Sequence, residues 1–394
     1  MAGERIASID VFRGLTMFFM LWVNSFWSLS EVPHWLCHAA KGEDMLGFSD
    51  VIFPAFLFIM GASAPIAVGN RRRKGDGVWK IVLHIAWRAL ALIVMGVFTV
   101  NFGDAYDAAA IGVSRGNYAM LMTAGFFMVW NAYPKSVAWR KYLFIALRVA
   151  GVGLLVWLAA IFHGSDGSGF EVRWWGILGR IGWTYLFCSL VVLALGRRQW
   201  WNVAVLALLV VGALMQAAGI VPTSILPNNL TIFAFGMSGV VLAMLLNRSG
   251  PGSGMFWHSP KGFYMIMVVT GAAMLLCGLC AHRFWIVSKL AATPTWYFYC
   301  CAIFFPIFAL LHYLTDAKGL ARWFDWVKPA GAAALSCYVV SYAWNPVKNL
   351  IFNSPLLRQE FSAGLPGLLN SFCYSLLLIW AVWLLTRIGI KLKV

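Results

Sequence analysis

The chain has 394 residues, 61% of them hydrophobic and only 11% charged, a balance that excludes a soluble domain of this size. Runs of about 20 apolar residues recur along the whole length, which predicts an all-α, polytopic integral membrane bundle embedded in the lipid bilayer. In such a protein the net charge of +16 belongs to loops facing the cytoplasm, so no nucleic-acid partner is expected.

The first apolar run, about 9–29, lacks a small-x-small cleavage site and carries Asp10 and Arg13, so it reads as a retained helix rather than a signal peptide. Asp10 and Arg13 share one helix face and are expected to form a structural ion pair at the helix entrance. Asn24 lies fourteen residues beyond Asp10, roughly 21 Å along the axis and near the outer surface. Its amide could serve chemistry or an interhelical hydrogen bond.

Next comes the stretch His38 to Gly61, HAAKGEDMLGFSDVIFPAFLFIMG. A histidine in a short polar loop is followed by Asp50, where the chain turns apolar into a second span, about 48–69, with Pro54 in its first turns. A histidine and a carboxylate at a membrane edge can form a proton-handling pair. The plainer reading has a solvated histidine and an Asp50 that caps the helix. Cys37 adjoins His38, and a nucleophilic thiol there is a lesser alternative.

Further spans are predicted at about 79–101, 115–133, 142–162, 174–196, 200–220, 229–247, 262–282, 294–315, 331–352 and 366–388, twelve in all. Arg88 is eight residues beyond Lys80 in the third span, roughly 12 Å deep and too deep to snorkel comfortably. Arg148 and Arg180 are placed similarly in the fifth and sixth. Buried charge is costly unless paired or hydrated. These arginines therefore point either to an anionic ligand such as phosphate, or to backbone carbonyls with Asp10 or Asp50 as counter-ions. After the ninth span the run SKLAATPTW, Ser288 to Trp296, offers Lys289 as a ligand contact, or simply an N-cap with proline in the first turn.

Orientation follows from the basic residues of alternate short loops: Arg71 to Lys74, Lys135, Arg140, Lys141, Arg197, Arg198, Arg248, Lys261, Lys318, Arg322, Lys328, Lys391 and Lys393. All fall on one side if there are twelve spans, which makes both termini cytoplasmic and the His38 loop external. Eleven spans would break the alternation and are the alternative. No soluble domain interrupts the chain, so 1–394 reads as one transmembrane domain. The cysteines within apolar runs read as packing residues, and neither metal-ligand spacing nor a phosphate-cradling glycine loop is found.

The runs SIDVFRG (Ser8–Gly14), WVNS (Trp22–Ser25), HA (His38–Ala39), DVIFPAFLFIMGAS (Asp50–Ser63) and IAWRALALI (Ile85–Ile93) make a pattern over about residues 5–100. GILGRIGWTY (Gly176–Tyr185) and SKLAATPTW extend it more loosely. The pattern resembles the transmembrane acyltransferases of the heparan-α-glucosaminide N-acetyltransferase family, in its bacterial branch. The resemblance implies transfer of an acetyl group from acetyl-CoA to an extracytoplasmic acceptor, an amino sugar, at a bacterial inner membrane. It also implies that His38 and Asn24 carry the transfer. The loop departs from the family in being two or three residues longer, and the soluble segment preceding the membrane part of the animal enzyme has no counterpart. Acyl transfer to an amine needs a base and an oxyanion donor. On that reading His38 is the base or is itself acylated, Asn24 holds the oxyanion, and Asp50 sets the histidine tautomer. Arg88 and Arg180, with Lys289 as a further contact, bind the acyl donor. A homodimer is left open as a partner. A transporter of an anionic or lipid-linked sugar, or a non-catalytic membrane partner, are the rival classes.

Overall fold

The computed structural model describes residues 6–104, 106–134, 138–196, 198–222, 229–246, 259–351 and 362–393. Lys135, Arg197 and Arg248, used above for orientation, lie outside them. The helices in chain order are α1 (Ala7–Val23), α2 (Phe48–Arg73), α3 (Val78–Asp104), α4 (Ala108–Ile111), α5 (Arg115–Trp130), α6 (Ala138–Ala160) and α7 (Ile177–Leu195). They continue with α8 (Gln199–Ala217), α9 (Leu230–Leu246), α10 (Pro260–Ala281), α11 (Pro294–His312), α12 (Lys328–Ala332), α13 (Ala334–Ile351) and α14 (Gly364–Arg387). Among the described residues there is no strand, only two isolated bridges.

Each apolar stretch predicted from the sequence overlaps a helix, though α1 ends at Val23 rather than near 29 and the eleventh stretch is divided between α12 and α13. Among the described residues, eight of these (α2, α3, α6, α7, α8, α10, α11 and α14) are long and apolar enough to cross a membrane. The helix α9 and the first part of α13 are apolar but shorter. Pro54 and Pro65 both lie inside α2 without ending it, as apolar helices tolerate when neighbouring groups satisfy the freed backbone.

The chain divides into two compact units: Met1–Thr16, Pro33–Ala89 and Arg180–Lys328 in the first, and Met17–Val32, Leu90–Gly179 and Pro329–Val394 in the second. In the first unit α2 and α9 touch backbone to backbone. A Cβ on Gly61 would lie 1.9 Å from the Gly236 carbonyl oxygen, and one on Gly239 would lie 1.8 Å from that of Phe58. Small residues permit this approach, which van der Waals contact then rewards. Around it Phe12, Phe58, Phe304, Phe308 and Phe235 meet edge-on or tilted. Asp316, in the π turn that continues α11, accepts the N–H groups of Ala7 at 2.8 Å and Ser8 at 2.9 Å. These are among the donors that the first turn of a helix leaves unsatisfied.

In the second unit Asn101 clasps the Glu171 backbone from both sides, donating to its carbonyl at 2.8 Å and accepting its N–H at 3.1 Å. Phe98, Phe102, Tyr106, Tyr118, Phe126, Phe162 and Phe170 form an aromatic cluster beside it. Trp22 Nε1 donates to Ser371 Oγ at 3.1 Å.

Candidate active site

The site is in the first unit and begins with a glycine. Gly47 precedes α2 with extended backbone, and a Cβ there would lie 1.9 Å from the Cys37 carbonyl oxygen. Only glycine lets the segment after His34–Leu36 fold back onto the start of the helix. Ser49 Oγ donates to the Leu36 carbonyl at 2.5 Å and fastens the same closure. His38 is thereby brought over the first turn of α2, where Asp50 stands.

Asp50 is 2% exposed and turns both carboxylate oxygens to the His38 segment. Oδ1 lies 2.7 Å from His38 Nδ1, and Oδ2 accepts the Ala39 N–H at 2.9 Å. It does not cap α2, whose N-cap is Gly47. A carboxylate can only accept, so the proton between the two groups is assigned to Nδ1. In the neutral ring the basic nitrogen is then Nε2. Trp296, wholly buried in α11, donates Nε1–H to the Asp50 carbonyl at 3.1 Å.

A third side chain arrives from far along the sequence. Lys289 Nζ lies 3.1 Å from His38 Nδ1 and 3.6 Å from Asp50 Oδ1. Since Nδ1 gives its proton to Asp50, the ammonium stands beside that hydrogen bond and answers the carboxylate charge. Its turn is rigid. Ser288 N–H donates to Thr293 Oγ1 at 3.1 Å, Thr293 N–H returns to the Ser288 carbonyl at 3.0 Å, and Ala291 N–H meets Ser288 Oγ at 3.2 Å. Buried Ala292 takes φ +50°, a conformation costing a non-glycine residue on the order of 1–3 kcal/mol. Thr293 also caps α11, with Pro294 in its first turn, as the plainer sequence reading has it. Burial pushes the Lys289 amine below the ordinary lysine value, Asp50 pulls it back up, and the Arg180 charge adds to the lowering.

Arg180 in α7 is thus within electrostatic range of Lys289. Arg88, in α3, places its guanidinium 4.8 Å from the ring centre of Tyr185, and its Nε is buried without a hydrogen-bond partner. Asp10 and Arg13 are paired on α1. Asn24 belongs to the second unit, exposed just beyond α1, with its backbone N–H on the Met20 carbonyl. Arg148 is exposed, over the ring of Tyr133, rather than buried. His34, the other histidine of the loop, is exposed and meets Glu43 at 2.5 Å. Burial raises the Cys37 thiol, the opposite of what a nucleophile needs. The structure therefore joins His38, Asp50 and Lys289. The sequence had singled out each of these residues, but nothing in it paired Lys289 with the other two.

A family model described as "Domain of unknown function (DUF5009)" matches residues 5–238. The human (Homo sapiens) heparan-alpha-glucosaminide N-acetyltransferase is 32% identical over 97 residues, 25% of this chain and 14% of that protein. The mouse (Mus musculus) protein of the same name is 31% identical over 100 residues, again 25% and 14%. The chain thus matches only about a seventh of the length of these relatives.

Proposed function

The chain belongs to the DUF5009 family, and on that footing we propose that it is a membrane acyltransferase that moves an acetyl group from acetyl-CoA to an extracytoplasmic amine, an amino sugar. The observation that carries the reading is the buried Asp50 holding His38 by Nδ1, which directs Nε2 to proton transfer. The segment shared with two N-acetyltransferases supports the same chemistry. The amine nitrogen attacks the thioester carbonyl. A C–N bond forms, the C–S bond breaks, and His38 Nε2 takes the amine proton and passes it to the departing sulfur. In the two-step variant His38 carries the acetyl group in between. Arg88 and Arg180 hold the phosphates, Arg88 through the guanidinium whose buried Nε has no hydrogen-bond partner. Lys289 stands beside the Asp50 carboxylate and lies at the acetyl end of the donor. All twelve apolar helices span the membrane, both termini are cytoplasmic, and the His38 segment faces outward at a bacterial inner membrane.

The test uses the full chain in detergent, with acetyl-CoA as donor and glucosamine as acceptor, the product being followed by mass spectrometry. His38→Ala lowers turnover by at least about a hundredfold, the lower end for a positioned base, while acetyl-CoA still raises the unfolding temperature. His34→Ala stays near wild type. Equal loss in both variants, or in neither, removes His38 as the base.

A further inference from the structure

Three histidine–carboxylate pairs gather on the segment between α1 and α2. His34 with Glu43 and His38 with Asp50 close within that segment and the first turn of α2. The third reaches elsewhere. Asp44 Oδ1 and Oδ2 lie 2.9 and 2.7 Å from Nε2 of His282, the residue that caps the end of α10. Asp44 Oδ1 also accepts the backbone N–H of Val287 at 2.7 Å. His282 Nδ1 lies in turn 3.1 Å from the Tyr299 hydroxyl on α11. Asp44 is six residues beyond His38, and Val287 is two residues before Lys289.

We infer that Asp44 is a positioning residue: by gripping His282 and the Val287 amide it holds the His38 segment against the Lys289 turn and so sets the registry of the site. The lysine cannot do this alone. Its four-carbon stem would follow a displaced backbone, whereas the Val287 N–H fixes the main chain itself. Val287 is 3% exposed, so without Asp44 its amide becomes a buried donor with no acceptor. That same N–H bond is the chief reason the Asp44 carboxyl sits below the ordinary carboxylate value, with His282 adding to it, so the grip is ionised at neutral pH. The link itself is read from geometry. Its kinetic consequence rests on the acyl-transfer reading.

The experiment compares the full-length wild type with Asp44→Ala and Asp44→Asn in detergent, by amide hydrogen exchange over residues 283–293 and by acetyl transfer. In Asp44→Ala, exchange at Val287 is expected to quicken at least about tenfold. Turnover should fall by about ten- to a hundredfold, the scale of a displacement near 1 Å, with KM for acetyl-CoA within about twofold. Asp44→Asn keeps an oxygen for the Val287 N–H but sets an NH2 against His282 Nε2, so it recovers most of the exchange effect and only part of the turnover. If Asp44→Ala does not fold, His282→Ala, which leaves the Val287 bond in place, is read by turnover alone. Unchanged exchange overturns the link. Faster exchange with unchanged turnover overturns the positioning role. A wild type that transfers no acetyl group overturns the kinetic half together with the acyl-transfer reading, and the exchange data alone tell this apart from a missing link.

Discussion

In the proposed site Asp50 meets two parts of the His38 segment at once. Its two oxygens serve different ends, one fixing the His38 ring and the other the Ala39 amide. Asp50→Asn can keep only one of these, because an amide NH2 set against either donor repels it. Turnover should therefore fall on the order of a hundredfold or more, as when a histidine loses its tautomer-setting carboxylate, with acetyl-CoA binding intact in a thermal-shift assay. Trp296→Phe keeps only a smaller aromatic ring and removes the N–H on the Asp50 carbonyl, and the lost hydrogen bond with the cavity left behind should lower stability by about 1–3 kcal/mol or more in denaturant unfolding. Arg88→Ala separates two readings. A weaker acetyl-CoA affinity, rescued only in part by Arg88→Lys, marks a phosphate contact. Normal binding with a lower unfolding temperature marks a structural role on Tyr185.

Between elements, the tightest constraint is the crossing of α2 and α9. At Gly239 the obstructing atom is a backbone oxygen of Phe58, which cannot swing aside as a side chain can. Gly239→Ala must push the helices apart, and such overpacking costs about 1–3 kcal/mol or more, read as a lower Tm. The turn between α2 and α3 makes a pH prediction. Asp76 is bonded to Lys80 at 2.5 Å and to Arg71 at 3.0 Å, and these partners, Lys80 first, hold its carboxyl below the ordinary value. A depressed carboxyl stabilises the fold fully above its unfolded pKa, near 3.9, and loses that contribution as pH falls through the folded value. Asp76→Asn should thus lower Tm at pH 7, and the gap to wild type should close as the scan moves into acid below that range.

For the whole molecule, the alternation of basic loops predicts the orientation. Lys74→Cys, made with the half-exposed Cys37 and the exposed Cys277, Cys280 and Cys373 changed to serine, should react with an impermeant thiol reagent only after lysis. Labelling of intact cells would reverse the topology and move the His38 segment to the cytoplasmic side.

Helix positions were legible in the sequence because hydropathy is a local property: an apolar run of membrane length satisfies its backbone only as a helix. His38 and Asp50 were legible too, being twelve residues apart at one helix start. The interleaving of the two units was not, and neither was the arrival of Lys289 at His38 across 251 residues or the bond from Asp44 to His282 across 238. Asp316, serving the first turn of α1 across 309 residues, was hidden for the same reason. No periodicity links residues so far apart. Their meeting is decided by which helices can approach, and that depends on contacts such as those of Gly61 and Gly239, where the missing side chain lets two backbones touch. The sequence by itself determined the helices and the chemistry available to them. The tertiary structure decided which charges share a site, because a buried carboxylate takes its partners from whatever the packing brings within a few ångströms.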